Sequence, residues 1–172
     1  VYIWSIIKQF KPTIQPPCMV CGAHPHQQDN LCTPCRLDIT WSKNPCDVCD
    51  TFLSSNKLDG HQICLECLQE PPPYNKTICA FDYFAHISGL INQCNLAADR
   101  LLTSCLSKNI AAVVLKDKAM MPQLLIPVPL HKRRLRQRGF NQAQFIATVL
   151  SQLLNVRINT AVCHRPEYQP PQ

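Results

Sequence analysis

Eight of the twelve cysteines form four Cys-x-x-Cys pairs within the first 67 residues. Two such pairs can bring four sulfur atoms around one tetrahedral ion, and the even pairing favours metal over disulfides. We therefore predict two structural zinc sites, with an iron–sulfur centre or disulfide pairing as the alternatives. Because four thiolates would fill each tetrahedron, no open position for hydrolytic chemistry is expected. The predicted ligand sets are Cys18, Cys21, Cys32 and Cys35 for the first site, and Cys46, Cys49, Cys64 and Cys67 for the second.

Each ligand set resembles a zinc ribbon, and together they form an internal repeat of about thirty residues. Gly22 follows the first pair and permits a left-handed backbone step. Neither unit contains enough apolar residues to hold itself together, so its folding should depend on metal. His24, His26 and His61 lie close by in sequence, but they are interpreted as surface histidines because the cysteines already complete each site.

A second group of chemically suggestive residues is a basic run that follows an apolar stretch at 124–128. Five of the seventeen basic residues fall within seven positions: Lys132, Arg133, Arg134, Arg136 and Arg138. We predict a short strand, a cationic loop and then a helix over 140–154, an arrangement typical of an anion site. The alternative is a solvated cationic loop with Phe140 inserted in the core.

The composition indicates one ordinary domain with a small accessory one. The chain has 172 residues, 46% of them hydrophobic, and a formal net charge of +6. Two zinc sites of four thiolates, each carrying −2, would lower that charge to +2. The positive charge is then concentrated in the basic run, which favours a defined anion over general coating of nucleic acid.

The remaining elements must position these groups. The pattern predicts a short amphipathic segment at 1–15, the double ribbon at 16–70, a Pro-rich linker at 71–76, and a second domain at 77–172. In that domain we expect a strand at 77–84, one helix at 87–106, a helix or loop at 111–118, and strands at 124–128 and 156–162. Strand and helix alternate, so the predicted class is α/β with a largely parallel sheet. The unpaired Cys79, Cys94, Cys105 and Cys163 are interpreted as buried small hydrophobic residues, with a reactive thiol as the alternative.

The residues together resemble the ComF family, in which a double zinc ribbon is joined to a type I phosphoribosyltransferase-like domain. Besides the ribbons, the resemblance rests on Ala80-Phe81-Asp82-Tyr83, Pro127-Val128-Pro129-Leu130 and Arg138-Gly139-Phe140-Asn141-Gln142-Ala143. The resemblance implies a cytoplasmic protein linked to natural competence and to the handling of imported single-stranded DNA; one close branch is associated with gluconate utilisation. It also implies single-stranded DNA or competence-machinery proteins as partners, with no membrane span.

The resemblance further implies a pocket for phosphoribosyl pyrophosphate and magnesium. The residues that would line it are Lys132, Arg133, Arg136, Arg138, Gly139, Asn141 and Gln142. The chain has no two adjacent acidic residues and no glycine after Gly139, so the acidic, glycine-rich donor loop of these transferases is absent from it. We therefore assign no catalytic residue and expect the chain as given to be inactive. The alternative function is a zinc-ribbon module that binds single-stranded DNA or protein without catalysis.

Overall fold

The computed structural model describes residues 17–24, 30–38, 45–53, 62–83, 85–97, 99–116 and 121–169. The amphipathic segment predicted at 1–15 lies outside these ranges, as do His26 and His61. Within the described residues, six helices and two strands follow in the order α1 (Thr33–Asp38), α2 (Leu65–Gln69), α3 (Ala85–Ala97), α4 (Arg100–Lys116), β1 (Leu124–Leu125), α5 (Lys132–Arg138), α6 (Gln142–Leu154) and β2 (Arg157–Ile158).

The two strands pair in parallel, with Leu124 opposite Arg157 and Leu125 opposite Ile158. Both were predicted in position and orientation, but they are shorter than the apolar runs that indicated them. Pro127 and Pro129 lack the N–H that a longer ladder would need, which accounts for the early end of β1. The described structure is thus a mixed one, with helices around a small parallel sheet.

The prediction of a single helix over 87–106 is wrong, because the helix is interrupted and the segment forms parts of two helices, α3 and α4. Asp99 caps α4: its Oδ1 accepts from the N–H of Leu102 at 3.0 Å. Its carbonyl accepts from both the N–H (3.0 Å) and the hydroxyl (2.6 Å) of Thr103. These bonds supply partners at a helix start, so they favour a new helix even though the apolar pattern continues through it.

The strand predicted at 77–84 is also wrong, since the described residues 77–83 form neither helix nor strand. Two backbone N–H groups of this segment donate instead to residues of the second cysteine repeat. The N–H of Thr77 donates to the carbonyl of Val48 at 2.7 Å, and the N–H of Cys79 donates to the carboxylate of Asp50. The segment therefore ties the second repeat to the chain that follows it, instead of joining the sheet.

The predicted basic loop is the helix α5. Its N-cap is His131, whose Nδ1 accepts from the N–H of Arg133 at 3.2 Å. Its C-cap is Gly139 in the left-handed conformation (φ +79°), and the Gly139 N–H donates to the carbonyl of Leu135 at 2.8 Å. A cap at each end thus closes a seven-residue helix that the charge pattern alone did not indicate.

Helices α4 and α6 form the principal helix pair of the fold. Ala111 of α4, Leu154 of α6 and Val156 beside β2 form one buried cluster, against which Leu125 of β1 packs. The predicted apolar stripe of α6 is only partly covered, since Leu153 remains 49% exposed. The helix was correctly predicted at 140–154, and Asn141 sets its start two residues later.

Candidate metal centres and a cleft beside the basic helix

The first four-cysteine cluster is built from two tight turns. The N–H of Cys18 donates to the carbonyl of Ala23 at 2.6 Å, and the N–H of Gly22 donates back to the carbonyl of Cys18 at 2.9 Å. Gly22 adopts φ +76°, the left-handed step expected from the sequence. The N–H of Met19 donates to the carbonyl of Asn30 at 2.9 Å and so brings the second turn alongside the first. We call this cluster the first centre, formed by Cys18, Cys21, Cys32 and Cys35.

The second cluster repeats these backbone contacts. The N–H of Cys46 donates to the carbonyl of Thr51 at 2.8 Å, and that of Asp50 donates to the carbonyl of Cys46 at 3.0 Å. Asp50 has φ +63° in the place of Gly22, and the N–H of Asp47 donates to the carbonyl of Gln62 at 2.7 Å. The internal repeat therefore extends from the cysteine spacing to the hydrogen bonds. We call this cluster the second centre, formed by Cys46, Cys49, Cys64 and Cys67.

The sulfur geometry of both centres fits one tetrahedral ion each. All four Sγ atoms of a centre lie within 4.8 Å of one another, and the second and third cysteines are 3.6 Å apart in both. Four sulfurs at the usual Zn–S distance would be about 3.8 Å apart. Backbone N–H groups also point at sulfur, from Cys32 to Cys18 at 3.4 Å and from Cys64 to Cys46 at 3.3 Å. The eight residues could therefore hold two zinc ions in closed structural sites.

The thiol pKa values differ between the first and the last cysteine of each cluster. For Cys18 and Cys46, burial opposes ionisation, but backbone N–H groups of the same cluster donate to the sulfur and lower each pKa to about 6. Burial and the neighbouring sulfurs raise the pKa of Cys67 to about 12, and they raise that of Cys35 further. The first sulfur of each centre therefore ionises more readily than the last, and a metal bound by all four sulfurs would have to displace the proton of the last one.

The two centres differ in what surrounds them. Cys18 and Cys35 belong to a buried cluster that also contains Leu31 and residues of α3 and α4, including Leu90 and Leu102. Among the described residues, the second centre forms a separate cluster whose members all belong to its own repeat: Cys46, Cys64, Cys67, Val48, Cys49 and Leu53. Metal at the first centre is therefore continuous with the helical core, and metal at the second is not.

The residues predicted to bind phosphate lie on and just after α5. Lys132, Arg133 and Arg136 are exposed, and no ion pair involves α5 within the described residues. The guanidinium of Arg133 lies 4.7 Å from the ring centroid of Tyr168, and Arg138 Nη1 donates to Gln142 Oε1 at 3.4 Å. The structure therefore leaves several cations facing solvent along one short helix.

The two amides of the predicted site serve the local fold. Asn141 Oδ1 caps α6 by accepting from the N–H groups of Ala143 (3.0 Å) and Gln144 (3.5 Å), while its Nδ2 donates to the carbonyl of Val128 at 3.0 Å. Gln142 accepts from Arg138, and its Nε2 is buried without a partner among the described residues. Asn141 thus connects the segment that follows β1, at Val128, to the start of α6 through hydrogen bonds of one side chain.

Sequence reasoning missed a cleft of about 330 Å³ at the end of α5. Arg100, the first residue of α4, reaches over it and places its guanidinium carbon 5.9 Å from the ring centroid of Phe140. Nothing in the sequence indicates that Arg100 and Phe140 meet, because they are forty positions apart. The cleft is lined by Arg100, Leu135, Gly139, Phe140, Asn141, Gln144, Phe145 and Thr148.

The cysteines outside the two centres behave in two ways. Cys94 and Cys105 are buried, as predicted, and burial raises the pKa of each thiol. The prediction is wrong for Cys79 and Cys163, which are exposed. Although the residue is exposed, partial desolvation of the Cys79 sulfur and the neighbouring Asp50 carboxylate together raise its pKa to about 11. His24 is exposed, in agreement with its interpretation as a surface histidine.

Comparison with known proteins gives several relatives by sequence. The chain is 31% identical over 144 residues to DNA utilization protein YhgH of Escherichia coli O6:H1, covering 81% of this chain and 56% of that protein. It is 30% identical over 142 residues to the same-named protein of strain K12, with 80% and 55% covered. Competence protein F of Haemophilus influenzae is 29% identical over 139 residues, with 73% and 61% covered. The chain spans about half the length of the curated relatives it matches.

No family model and no solved structure matches the chain. Of the helices in the described ranges, none has both the length and the apolar character needed to cross a bilayer.

Proposed function

Because the chain belongs to the ComF family, with relatives named for DNA utilization and competence, we propose that it takes part in DNA uptake by binding single-stranded DNA along α5. In this role the two zinc centres are structural and α5 supplies the phosphate contacts. We further propose that the protein works in the cytoplasm beside competence-machinery proteins. The observation that carries the proposal is the dense positive charge of α5, which forms no ion pair with the part of the chain that the structure describes.

That charge is unusual for a helix of seven residues. Five of the residues are cationic and none is acidic, and the sequence contains no Asp or Glu from Lys118 to Pro166. Lys132 and Arg136 lie four apart, as do Arg134 and Arg138, so like charges share helix faces and repel. Cations in the first turn also oppose the helix dipole. Bound phosphates would relieve both effects, which supports a polyanion as the ligand.

The test is the salt dependence of binding to a fluorescently labelled oligo(dT), followed by anisotropy. Each phosphate contact on a single strand contributes a log–log slope of about −0.7. Replacing both Arg133 and Arg136 with alanine should therefore make the slope shallower by about 1.4. The matched control, Lys116→Ala with Arg157→Ala, removes two exposed charges outside α5 and should keep the slope. Equal losses in both variants, or no binding by the parent chain, would refute the proposal.

A phosphoribosyl pyrophosphate site is a second candidate, favoured by where α5 lies. It follows the carboxyl end of β1 in a parallel sheet, the edge at which α/β folds bind ligands. We propose that a transferase-type pocket uses α5 as one wall and needs an acidic, glycine-rich donor loop as the other. Titration calorimetry with phosphoribosyl pyrophosphate and magnesium should then give weak or no binding to this chain and clear binding to a full-length relative. Tight binding by this chain would refute the need for that loop.

A further inference from the structure

We propose that the cleft at the end of α5 is a base-stacking site, in which one base of a single DNA strand lies between the ring of Phe140 and the guanidinium of Arg100. The inference rests on the proposed binding of single-stranded DNA by α5, and it adds the element that recognises bases as distinct from phosphates. Aromatic rings and arginine planes are the two surfaces on which proteins commonly stack unpaired bases.

The ring of Phe140 is held in a defined orientation. Phe145 meets it edge to face, with 6.2 Å between the ring centroids and 80° between the ring planes. Gly139 precedes Phe140 and lacks a side chain, so nothing on that residue crowds the approach to the ring. Phe140 is only half-buried. A fixed, accessible ring is therefore available as a stacking platform at low entropic cost.

Arg100 is placed to close the other side of a stacked base. Its guanidinium carbon is 5.9 Å from the Phe140 centroid, whereas a planar base in van der Waals contact with both would need about 7 Å. The residue is exposed and its side chain is long, so a small outward movement makes that room. In the absence of a base, the same pair makes a cation–π contact that keeps Arg100 over the ring.

The rim of the cleft can bind the edges of a base. Gln144 is exposed, and its side-chain amide can both donate and accept a hydrogen bond. The Thr148 hydroxyl donates to the main-chain carbonyl of Gln144 at 2.8 Å, so the Thr148 oxygen can still accept a hydrogen bond from a ligand. With a volume of about 330 Å³, the cleft is at the small end of ligand pockets, as suits one base. A single platform with adaptable polar groups should tolerate all four bases.

The cleft and α5 are continuous, since Leu135 of α5 and Gly139, the C-cap of that helix, both line the cleft. A strand whose base enters the cleft would carry its neighbouring phosphates past Arg136 and Arg138. The sequence has no Asp or Glu from Lys118 to Pro166, so neither α5 nor α6 contributes a carboxylate that would repel the strand. Phosphate attraction and stacking would therefore act on one ligand at adjoining surfaces.

The experiment compares two probes with the same phosphates: an oligo(dT) of about eight nucleotides and its counterpart with abasic tetrahydrofuran units. We expect the parent chain to bind the oligo(dT) at least about fivefold more tightly. Phe140→Leu keeps the apolar contact but removes the ring, so it should abolish that preference. Tyr83→Leu, which removes an exposed aromatic ring outside the cleft, should retain it.

The outcomes separate this inference from the proposal on which it rests. Equal affinity of the parent chain for both probes refutes base stacking and leaves phosphate binding by α5 intact, whereas no affinity for either probe refutes both. If Phe140→Leu fails to fold, as judged by circular dichroism, Arg100→Gln decides instead, because Arg100 is exposed and its loss should not unfold the chain. An unchanged preference in Arg100→Gln overturns the inference.

Discussion

Loss of metal from the two centres should have unequal consequences, although their ligands and hydrogen bonds correspond. We compare Cys18→Ser with Cys46→Ser, which remove the first ligand of each centre. Both sulfurs are almost fully buried, and each accepts one N–H bond from the third cysteine of its centre. The substitutions are therefore matched in chemistry, and only the surroundings of the two centres differ.

The expected difference comes from the packing of the first repeat on the helices. Leu31 is fully buried and shares its cluster with Ile87 and Leu90 of α3 and with Leu102 and Leu106 of α4. Burial of one such side chain contributes about 1.5–3 kcal/mol, and the helical side chains that it covers lose a similar amount when it leaves. The free energy of unfolding of the helical part should therefore fall by about 3–6 kcal/mol. That is a large share of the free energy of unfolding of a typical domain, which is about 5–15 kcal/mol.

The assay is thermal unfolding followed by far-UV circular dichroism, which reports mainly on α3, α4 and α6, together with zinc content by elemental analysis. Each variant should lose one zinc. Cys18→Ser should also lower the helical melting temperature, by about 2–4 °C for each kcal/mol lost, while Cys46→Ser should leave it nearly unchanged. Cys163→Ser, an exposed thiol outside both centres, is the control for loss of a cysteine. Equal shifts in the two ligand variants would refute the distinction between the centres.

Three further outcomes are expected. Gly139→Ala should lower the free energy of unfolding in urea by about 1–2 kcal/mol, because φ +79° strains any residue with a Cβ; an unchanged value would contradict the left-handed cap of α5. Asn141→Ala should cost about 1 kcal/mol by removing the cap of α6, whereas Asn141→Asp keeps the cap oxygen, loses only the donor to Val128 and should cost less; equal costs would argue against the cap. Acid should weaken zinc binding, because protons compete with zinc for the sulfurs. The Cys67 thiol, whose pKa is raised to about 12, is protonated over the whole acidic range. Below about pH 6 the first cysteine of each centre, whose pKa is about 6, is protonated as well. Competition with a chromophoric chelator across the acidic range measures this effect, and a flat affinity would rule it out.

The two four-cysteine centres could be predicted from the sequence because the residues that form each of them lie close together along the chain. A Cys-x-x-Cys pair places two sulfurs on one tight turn, and two pairs within a few tens of residues need little further chain to meet. Even the hydrogen-bond pattern follows this spacing, and it persists where Asp50 replaces Gly22 in the left-handed position. What the spacing did not reveal was the environment, since contact of Leu31 with α3 and α4 depends on tertiary packing.

The basic segment was harder to predict for a physical reason. Five cations in seven residues repel one another, so the charge pattern favours a loop, although Lys, Arg, Leu and Gln are all good helix formers. The helix forms because His131 and Gly139, its immediate neighbours in sequence, cap its two ends, and because Leu135 lines the cleft, a contact that depends on the folded chain. The cleft itself escaped prediction in the same way, since Phe140 looks like a core residue until Arg100 is placed over it.

Helix α4 connects the first metal centre to the cleft. Its first residue, Arg100, lies over Phe140, while Leu102 and Leu106, two and six residues further along, are buried in the cluster that contains Cys18. Lys108 Nζ also donates to the side chain of Asn30 in the first repeat, at 3.5 Å. Since a helix moves nearly as a rigid body, the distance between the guanidinium and the ring depends on how the first repeat packs against α4. Within the described ranges the second centre contributes no residue to that cluster, so although the two repeats share one ligand geometry, it is the first that packs on the helix supporting the cleft.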